Sequence, residues 1–341
     1  MKLIVQIPCL NEEETLPLLL SELPRELTGF DQVEWLLIDD GSTDRSIEVA
    51  RRNGVDHLVR LTTHKGLATA FQAGLDAALK LGADVIVNTD ADNQYPSSDI
   101  PKLVEPILAR RADMVVGDRR VQTVEHFSPT KKLLQRLGSW VVRRASGTKV
   151  PDTTSGFRAY NREAALQLIV VSRYTYTLES LIQAGKMSVA IEDVPVNPNP
   201  TDRDSRLAGS TSAYVRRNAF AIFRAYTLYE PLRVFMLLAL LFGALALAAW
   251  SPFLFDWIVN GDRSGHIQSL ILGAVLMLAA VQMFALGIIG DALAGQRAIQ
   301  QRVYERVRRL ELEAGVPPTQ YEPADLGREL TVERVETTVA P

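Results

Sequence analysis

A short apolar stretch that runs directly into oxygen-bearing side chains has the clearest chemical potential in this sequence. Residues 85–95 read VIVNTDADNQY, and the β-branched residues at 85–87 predict a short buried strand. Asp90, Asp92 and Gln94 follow it at alternate positions. Hard oxygen ligands of this kind suit Mg2+ or Mn2+, with coordination sites left over for phosphate oxygens. We predict a metal site at these three residues, although a lone acidic turn is common in loops and the assignment depends on the rest of the chain.

Polar groups also stand directly after the other predicted strands. Strands are predicted at 2–7, 35–38, 57–61, 114–116 and 189–196, with helical patterns between them. This alternation predicts an α/β fold with a mostly parallel sheet and helices on both faces. Functional groups gather beyond the carboxyl ends of such strands. The residues in that position are Asn11 and Glu12, Asp39 and Asp40, Asp90 and Asp92, and Asp118 and Arg119.

Composition and missing motifs exclude several classes of protein. The 341 residues carry 37 basic and 40 acidic side chains, a balance that argues against general nucleic-acid binding. The single cysteine, Cys9, excludes internal disulfides and fits a reducing compartment. The chain has neither a GxxxxGK[ST] phosphate loop nor a GxSxG nucleophile elbow, so P-loop phosphoryl transfer and α/β-hydrolase chemistry are disfavoured.

Two long uncharged stretches predict membrane spans. Residues 234–255 and 267–289 each have roughly the 20 apolar residues that cross a bilayer as helix. A pair of core helices in a soluble domain is disfavoured because a short polar link joins the two runs. Arginines flank both spans, so the positive-inside rule predicts a multi-pass membrane protein whose large N-terminal domain and both termini are cytoplasmic. These arginines are Arg216, Arg217, Arg224 and Arg233 before the hairpin, and Arg297, Arg302, Arg306, Arg308 and Arg309 after it.

The sequence therefore predicts five segments. Residues 1–212 form a catalytic domain that ends in a mobile loop, and 213–232 form a juxtamembrane amphipathic helix, for which a plain connecting helix is an equal possibility. Residues 233–294 hold the two transmembrane helices, 295–314 a cytoplasmic helix, and 315–341 a disordered tail. Gly243, Gly273 and Gly287 could permit close helix approach, including homo-oligomer formation through the hairpins, or could be incidental.

Seven motifs, in this order, resemble family 2 glycosyltransferases with the GT-A fold. They are IPCLNEEETLP, DDGSTD, KGLATAFQAGL, DADNQYP, GDR, DTTSGFRAY and RLAGS. The resemblance covers about residues 2–211 and is closest to the polyprenyl-phosphate sugar synthases, including dolichol-phosphate mannose synthases and bacterial polyprenyl-phosphate glucosyltransferases. The two C-terminal spans are similar to those of the bacterial subgroup.

The resemblance implies a role for each site residue. Asp90 would contact the sugar or ribose, while Asp92 and Gln94 would ligate the metal that bridges the diphosphate. Arg119 and Arg158 would contact phosphates, and Arg206 would close over the lipid phosphate; if these roles do not hold, each arginine is a surface ion-pair partner of little individual energy. The remaining nucleotide-sugar contacts implied are Pro8, Asn11, Glu12, Asp39, Asp40 and Lys65.

The expected reaction is transfer of a hexose from a nucleotide-diphospho-sugar to polyprenyl phosphate, with inversion to a β-linked product. Glu179 lies near where sugar-acceptor relatives place a paired-acid base, but Ser180 removes the second acid. A phosphate monoester is already mostly dianionic at neutral pH, so no base is required. Resemblance favours a UDP-hexose over GDP-mannose.

Two competing functions remain open at the level of sequence. A catalytically silent membrane scaffold that senses nucleotide sugar would retain the fold, but the intact residues Asp90, Asp92, Gln94, Arg119 and Arg158 oppose it. A processive polysaccharide synthase would carry a QxxRW element and more membrane spans, and neither occurs in this chain.

Overall fold

A computed structural model describes residues 1–119, 140, 142–144, 146–170, 176–199, 223–224, 227–260 and 266–324. The chain divides into two compact units. The first contains Met1–Ala208 together with Glu305–Pro341, and the second is Gly209–Tyr304.

An eight-stranded mixed sheet forms the centre of the first unit. Its spatial order is β7-β5-β6-β4-β1-β2-β3-β8. Strands β1 to β4 run parallel, as do β5 and β7, whereas β6 is antiparallel to β4 and β5, and β8 is antiparallel to β3. The predicted mostly parallel α/β sheet is thereby confirmed. The strands are β1 (Lys2–Cys9), β2 (Gln32–Asp39), β3 (His57–Arg60), β4 (Val85–Asn88), β5 (Met114–Asp118), β6 (Arg158–Asn161), β7 (Ile191–Pro195) and β8 (Tyr321–Pro323).

Helices accompany this sheet in the described part of the chain. They are α1 (Leu16–Glu22), α2 (Ser46–Arg52), α3 (Leu67–Lys80), α4 (Ile100–Leu108), α5 (Arg162–Gln167) and α6 (Thr177–Lys186). After its first residue, β1 is buried along its whole length, as expected for a central strand covered on both faces. Helix α3 approaches the sheet at Gly74, where an added Cβ would lie 2.6 Å from Gln6 Oε1 and 2.8 Å from Ile38 Cδ1. A side chain at Gly74 would push α3 away from β1 and β2.

Strand β6 is an element that the sequence did not reveal. Its first residue, Arg158, lies in a stretch dense in turn-forming residues. The strand runs antiparallel between β4 and β5, with Arg158 opposite Asn88 on one side and Val116 on the other. The turn before β6 therefore reaches the same edge of the sheet as the loops that follow β4 and β5.

The prediction of a disordered tail at 315–341 is wrong for its first part, because residues 321–323 form strand β8. Three backbone positions pair with β3. Side chains reinforce the pairing: the Tyr321 hydroxyl lies 2.9 Å from His57 Nδ1, and Glu322 accepts from Arg51 at 2.9 Å. The polar composition of the tail concealed these long-range partners. Residues 325–341 lie outside the described part of the chain.

The second unit contains α7 (Pro231–Phe255) and most of α8 (Ile267–Glu313). Both helices are long and apolar enough to span a membrane, and only 6% and 17% of their apolar stretches are buried against protein. Helix α8 continues unbroken to Glu313, which corrects the prediction of a separate helix at 295–314. The predicted helix at 213–232 lies largely outside the described residues.

Glycines on α8 allow α7 to pack closely against it. An added Cβ at Gly273 would collide with the Trp250 ring, and one at Gly290 would lie 2.7 Å from Pro231 Cβ. At Gly287 the Cβ would lie 3.2 Å from Phe235 Cβ. Gly243, by contrast, has no atom within 4 Å of the position a Cβ would take among the described residues.

Candidate active site

Loops that follow neighbouring parallel strands meet at one edge of the sheet. Strand β1 lies between β2 and β4, so its exit loop adjoins both of theirs. The Thr15 hydroxyl is 3.0 Å from the carbonyl of Ala91 and 2.8 Å from Glu12 Oε2. Thr15 thereby links the loop after β1 to the loop that carries Asp90 and Asp92.

The loop after β4 holds its oxygen-bearing side chains in a fixed turn. Asn93 has a left-handed backbone (φ 53°), and Asp92 Oδ1 accepts from the Gln94 N–H at 3.1 Å. Asn199, after β7, braces the turn: its N–H donates to the Gln94 carbonyl at 2.9 Å, and its Nδ2 donates to the Asn93 carbonyl at 3.0 Å. The Asp92 side chain remains exposed at the tip of this turn.

Asp90 lies deeper, against the turn before β6. An added Cβ on Gly156 would lie 3.1 Å from Asp90 Oδ2, so the carboxylate rests directly on the glycine backbone. Burial raises the pKa of Asp90 to about 7, the neighbouring charge of Asp92 contributes to the rise, and Arg119 and Arg158 partly offset it. A nearby cation would favour the ionised form of the Asp90 carboxyl group, because it would offset the cost of burying the negative charge.

The donor set of this loop fits a hard divalent cation. Asp90 and Asp92 offer carboxylates and Gln94 an amide oxygen, which are ligands that Mg2+ and Mn2+ accept. No group of three histidine, cysteine, aspartate or glutamate side chains suited to a metal occurs among the described residues. The protein would therefore supply only part of the coordination sphere, and diphosphate oxygens could supply the rest.

Arg119 is held in place by a buried carboxylate. Its Nε lies 2.7 Å from Asp152 Oδ2, and its NH2 nitrogen lies 3.1 Å from Asp152 Oδ1 and donates to the Thr154 hydroxyl at 2.9 Å. Asp152 is 2% exposed in its side chain and Arg119 is 18% exposed. Burial alone would raise the pKa of Asp152, but the Arg119 guanidinium outweighs it and holds that pKa below its usual value. Arg119 is thus a charged, oriented group at the end of β5.

Arg158 is placed differently from what the sequence predicted. Its side chain is fully buried, and its guanidinium donates to the carbonyls of Ser155, Thr177 and Thr153 at 2.7, 2.9 and 3.1 Å. A fourth bond, of 2.8 Å, goes to the Ser180 hydroxyl. The prediction that Arg158 contacts phosphate is wrong in this geometry, because its donors point into the protein interior.

Asp40, which the sequence offers with Asp39 as a nucleoside contact, has a structural task in this geometry. Its two carboxylate oxygens accept from the N–H groups of Lys65 and Gly66 at 2.7 and 2.9 Å, and His64 Nδ1 lies 2.8 Å away. Asp40 therefore fixes the turn that leads into α3. The Lys65 side chain stays exposed beside this turn.

The other predicted nucleotide-sugar residues lie in or beside the exit loops of β1 and β2. Pro8 is inside β1, opposite Ile38. Asn11 has a left-handed backbone (φ 54°), and its Oδ1 accepts from the Thr43 N–H at 2.8 Å. Asp39 is buried and accepts from the Ser42 N–H at 2.9 Å. The Asn11 contact ties the two loops together, while Arg206 lies outside the described residues.

The turn before β6 is a source of site residues that the sequence did not single out. Asp152, Thr154 and Gly156 supply the contacts that hold Arg119 and back Asp90. All three stand within the motif DTTSGFRAY. That motif was the available signal, but only the pairing of β6 between β4 and β5 shows where the turn goes.

In this mixed sheet, a loop with two carboxylates follows the central strand β4, and an oriented arginine stands at the end of β5, the next parallel strand. This combination defines a nucleotide-sugar transferase of the GT-A type. Residues 4–169 match the Glycosyl transferase family 2 domain. Undecaprenyl-phosphate mannosyltransferase of Micrococcus luteus is 31% identical over 206 residues, which cover 58% of this chain and 83% of that protein. The chain belongs to glycosyl transferase family 2 and is a glycosyltransferase.

Two further comparisons, one with a longer match and one with a solved structure, agree with this family. Dodecaprenyl-phosphate galacturonate synthase of Rhizobium johnstonii is 26% identical over 303 residues, 86% of this chain and 88% of that protein. The crystal structure of glucosyl-3-phosphoglycerate synthase from Mycobacterium tuberculosis with Mn2+ and UDP-glucose has a TM-score of 0.51 at 21% identity. The match covers 65% of this chain and 78% of the synthase chain, and at this identity the likeness establishes the fold alone.

Proposed function

We propose that this chain is an inverting, metal-dependent transferase that moves a hexose from a nucleotide-diphospho-sugar to polyprenyl phosphate. The donor is a UDP-hexose, with GDP-mannose as the second candidate. The reaction takes place at the cytoplasmic surface of the membrane.

The donor side of this proposal is carried by one observation, the position of the Asp90–Gln94 loop beside the ion-paired Arg119. A sugar diphosphate needs positive charge on its phosphates to become a good leaving group. Arg119 supplies a fixed charge, and Asp90, Asp92 and Gln94 would hold a Mg2+ or Mn2+ ion. When bound, that ion would neutralise charge on the departing nucleoside diphosphate.

The acceptor side follows from the chemistry of a phosphate monoester. Its second pKa is near 6, so at neutral pH it is mostly a dianion and attacks without a general base. Ser180, where a second acid would stand in a sugar-acceptor enzyme, instead bonds to Arg158, and Glu179 beside it is only 8% exposed. The protein's task is therefore to align the phosphate oxygen with the anomeric carbon. One displacement inverts that carbon and gives a β-linked product from an α-linked donor.

A membrane-bound acceptor explains the two apolar helices. The phosphate of a polyprenyl lipid lies at the level of the head groups, so the enzyme must work at the membrane surface. The Micrococcus and Rhizobium relatives are both named as enzymes that act on a polyprenyl phosphate. The match to the Rhizobium protein covers most of the chain, including the apolar helices. We propose residues 1–212 as a cytoplasmic catalytic domain, 213–232 as an interfacial helix and 233–294 as the transmembrane hairpin, with both termini cytoplasmic.

A donor screen followed by a turnover assay tests this function. The detergent-solubilised full chain should gain thermal stability from a UDP-hexose with Mg2+ or Mn2+, and Asp92→Asn should lose that gain. Adding polyprenyl phosphate should then release the nucleoside diphosphate. A gain from GDP-mannose instead would select the second donor, and donor binding without release would indicate a sensor rather than a transferase.

A further inference from the structure

Arg158 occupies a junction between the two strands that carry the site. As the first residue of β6 it pairs with Asn88 at the end of β4 and with Val116 on β5. Two residues beyond Asn88 lies Asp90, and three residues beyond Val116 lies Arg119. A displacement at the start of β6 would therefore be felt on both sides of the site.

The Arg158 guanidinium is a buried charge whose direct contacts are hydrogen bonds to uncharged oxygen atoms, while the charge of Asp90 acts on it over a longer distance. Among the residues that the structure describes, no carboxylate forms an ion pair with it. Its four bonds go to the carbonyls of Thr153, Ser155 and Thr177 and to the Ser180 hydroxyl. Because a buried guanidinium with unmade bonds is costly, the guanidinium and these carbonyls hold one another in place.

The carbonyls that Arg158 binds alternate with the residues that face the site. Thr153 and Ser155 accept from Arg158 on one side of the turn. On the other side, Asp152 and Thr154 hold Arg119, and Gly156 supports Asp90. Gly156 is pinned further, since its N–H donates to the Tyr95 hydroxyl at 3.1 Å and its carbonyl accepts from Asn88 Nδ2 at 2.8 Å.

We propose that Arg158 is a positioning residue of the transferase site, which acts by fixing the turn 152–157. The turn transmits this constraint to Arg119 through Asp152 and to Asp90 through Gly156. Arg158 makes no contact with the donor or the acceptor. The inference rests on the proposed function for the reaction that is being positioned, but the fixing of the turn can be measured without that reaction.

The test uses Arg158→Lys in the full-length protein. Lysine keeps the charge but cannot make four bonds in a plane. Hydrogen–deuterium exchange should become about tenfold faster in the peptide 152–157, while β1 exchanges at the wild-type rate. The kcat/KM for sugar transfer should fall about tenfold or more. In combination with Asp152→Asn, the loss of kcat/KM should be smaller than the product of the two single losses, because Arg158 acts on Arg119 through Asp152.

Arg162→Lys is the matched control. Arg162 lies four residues later and donates to one carbonyl, that of Ala83, at 3.0 Å, away from the turn. Its variant should leave the 152–157 exchange rate and kcat/KM unchanged. If Arg158→Lys does not fold, Ser180→Ala removes one of the four bonds and should shift both readouts in the same direction by a smaller factor.

Four results would overturn the proposal. In Arg158→Lys, the 152–157 peptide could exchange at the wild-type rate, or its exchange could rise only as much as that of β1. The kcat/KM of Arg158→Lys could also match that of Arg162→Lys. Losses that multiply in the combination with Asp152→Asn would also contradict it. If the wild-type protein moves no sugar to polyprenyl phosphate, the proposed function fails, and the exchange rates alone decide whether Arg158 fixes the turn.

Discussion

Arg119 and Asp152 form a two-point ion pair between the end of β5 and the turn before β6. The Nε–Oδ2 distance is 2.7 Å and the NH2–Oδ1 distance is 3.1 Å. Two parallel contacts fix the plane of the guanidinium as well as its position. The arginine that the proposed mechanism directs at the donor diphosphate is therefore oriented by protein before any ligand arrives.

Asp152→Asn should lower kcat/KM for sugar transfer by about 10- to 100-fold, because Arg119 loses its charged anchor and its orientation. The measurement is steady-state release of nucleoside diphosphate in the presence of polyprenyl phosphate. Glu48→Gln is the control, since Glu48 forms an exposed pair with Arg52 on α2 and such pairs contribute little. Equal activity of the two variants would show that the Arg119 anchor is not needed.

Gly156→Ala should weaken metal-dependent donor binding about tenfold by displacing Asp90. The new Cβ would lie 2.7 Å from the Tyr176 hydroxyl and 3.1 Å from Asp90 Oδ2, so one of these groups must move. Calorimetric titration of the nucleotide sugar with Mn2+ measures the effect. A Cβ at position 243 would meet no atom of the described residues within 4 Å, so Gly243→Ala should bind donor normally. Unchanged affinity in Gly156→Ala would mean that Asp90 does not need its present position.

Metal affinity should depend on pH through Asp90. Burial, followed by the charge of Asp92, raises the pKa of Asp90 to about 7 in the metal-free protein. Below that pH the carboxyl is protonated and a cation must displace the proton, so affinity for Mn2+ should fall by up to about tenfold per pH unit and level off above the pKa. Electron paramagnetic resonance of free Mn2+ measures this. Asp90→Asn should bind more weakly and with a flatter pH dependence; an unchanged slope in that variant would assign the titration to another group.

Strand β8 should contribute to the stability of the catalytic unit. A chain that stops after Ala314 loses the pairing with β3 and the contacts of Tyr321 and Glu322. Its Tm should fall by about 5 °C, whereas a chain that stops after Ala324 keeps the strand and should melt like the full protein. Equal Tm values for the two truncations would show that β8 adds no stability.

A C-terminal truncation that removes the membrane hairpin also removes contacts within the catalytic unit. Arg308 on α8 is buried and donates to the carbonyls of Ala165, Leu166 and Leu168, at the end of α5. A truncation before the hairpin would delete this contact together with β8. Loss of activity in such a variant would therefore reflect damage to the catalytic unit as well as loss of the apolar helices.

The fold and the position of the Asp90–Gln94 loop could be predicted because they depend on local patterns. Apolar runs that end in Asp39, Asp90 or Asp118 reveal both a strand and its exit, and parallel strands bring those exits to one edge. Whether a polar side chain at such a strand end is buried depends, by contrast, on the direction in which it points, and the sequence pattern does not show that direction. Arg158 points inward because it begins an antiparallel strand that a turn-rich motif concealed, and Asp40 turns toward the backbone of Lys65.

Strand β8 was unpredictable for a different reason. Its partner is far away in the chain: 264 residues separate Tyr321 from His57. Three residues of strand carry no periodic signal, and the tail around them is polar. Only the tertiary structure shows that the exposed edge of β3 has a partner within the same chain.

Transfer of labelled sugar into lipid tests the proposed reaction most directly. The full-length protein is incubated with a radiolabelled nucleotide sugar, polyprenyl phosphate and Mn2+, and the organic phase is counted. We predict label in the lipid with the wild-type protein, and almost none after chelation of the metal or in Asp92→Asn. Label that enters the lipid equally well without metal and in Asp92→Asn, or that never enters it with any UDP- or GDP-hexose, would contradict a metal-dependent polyprenyl-phosphate glycosyltransferase.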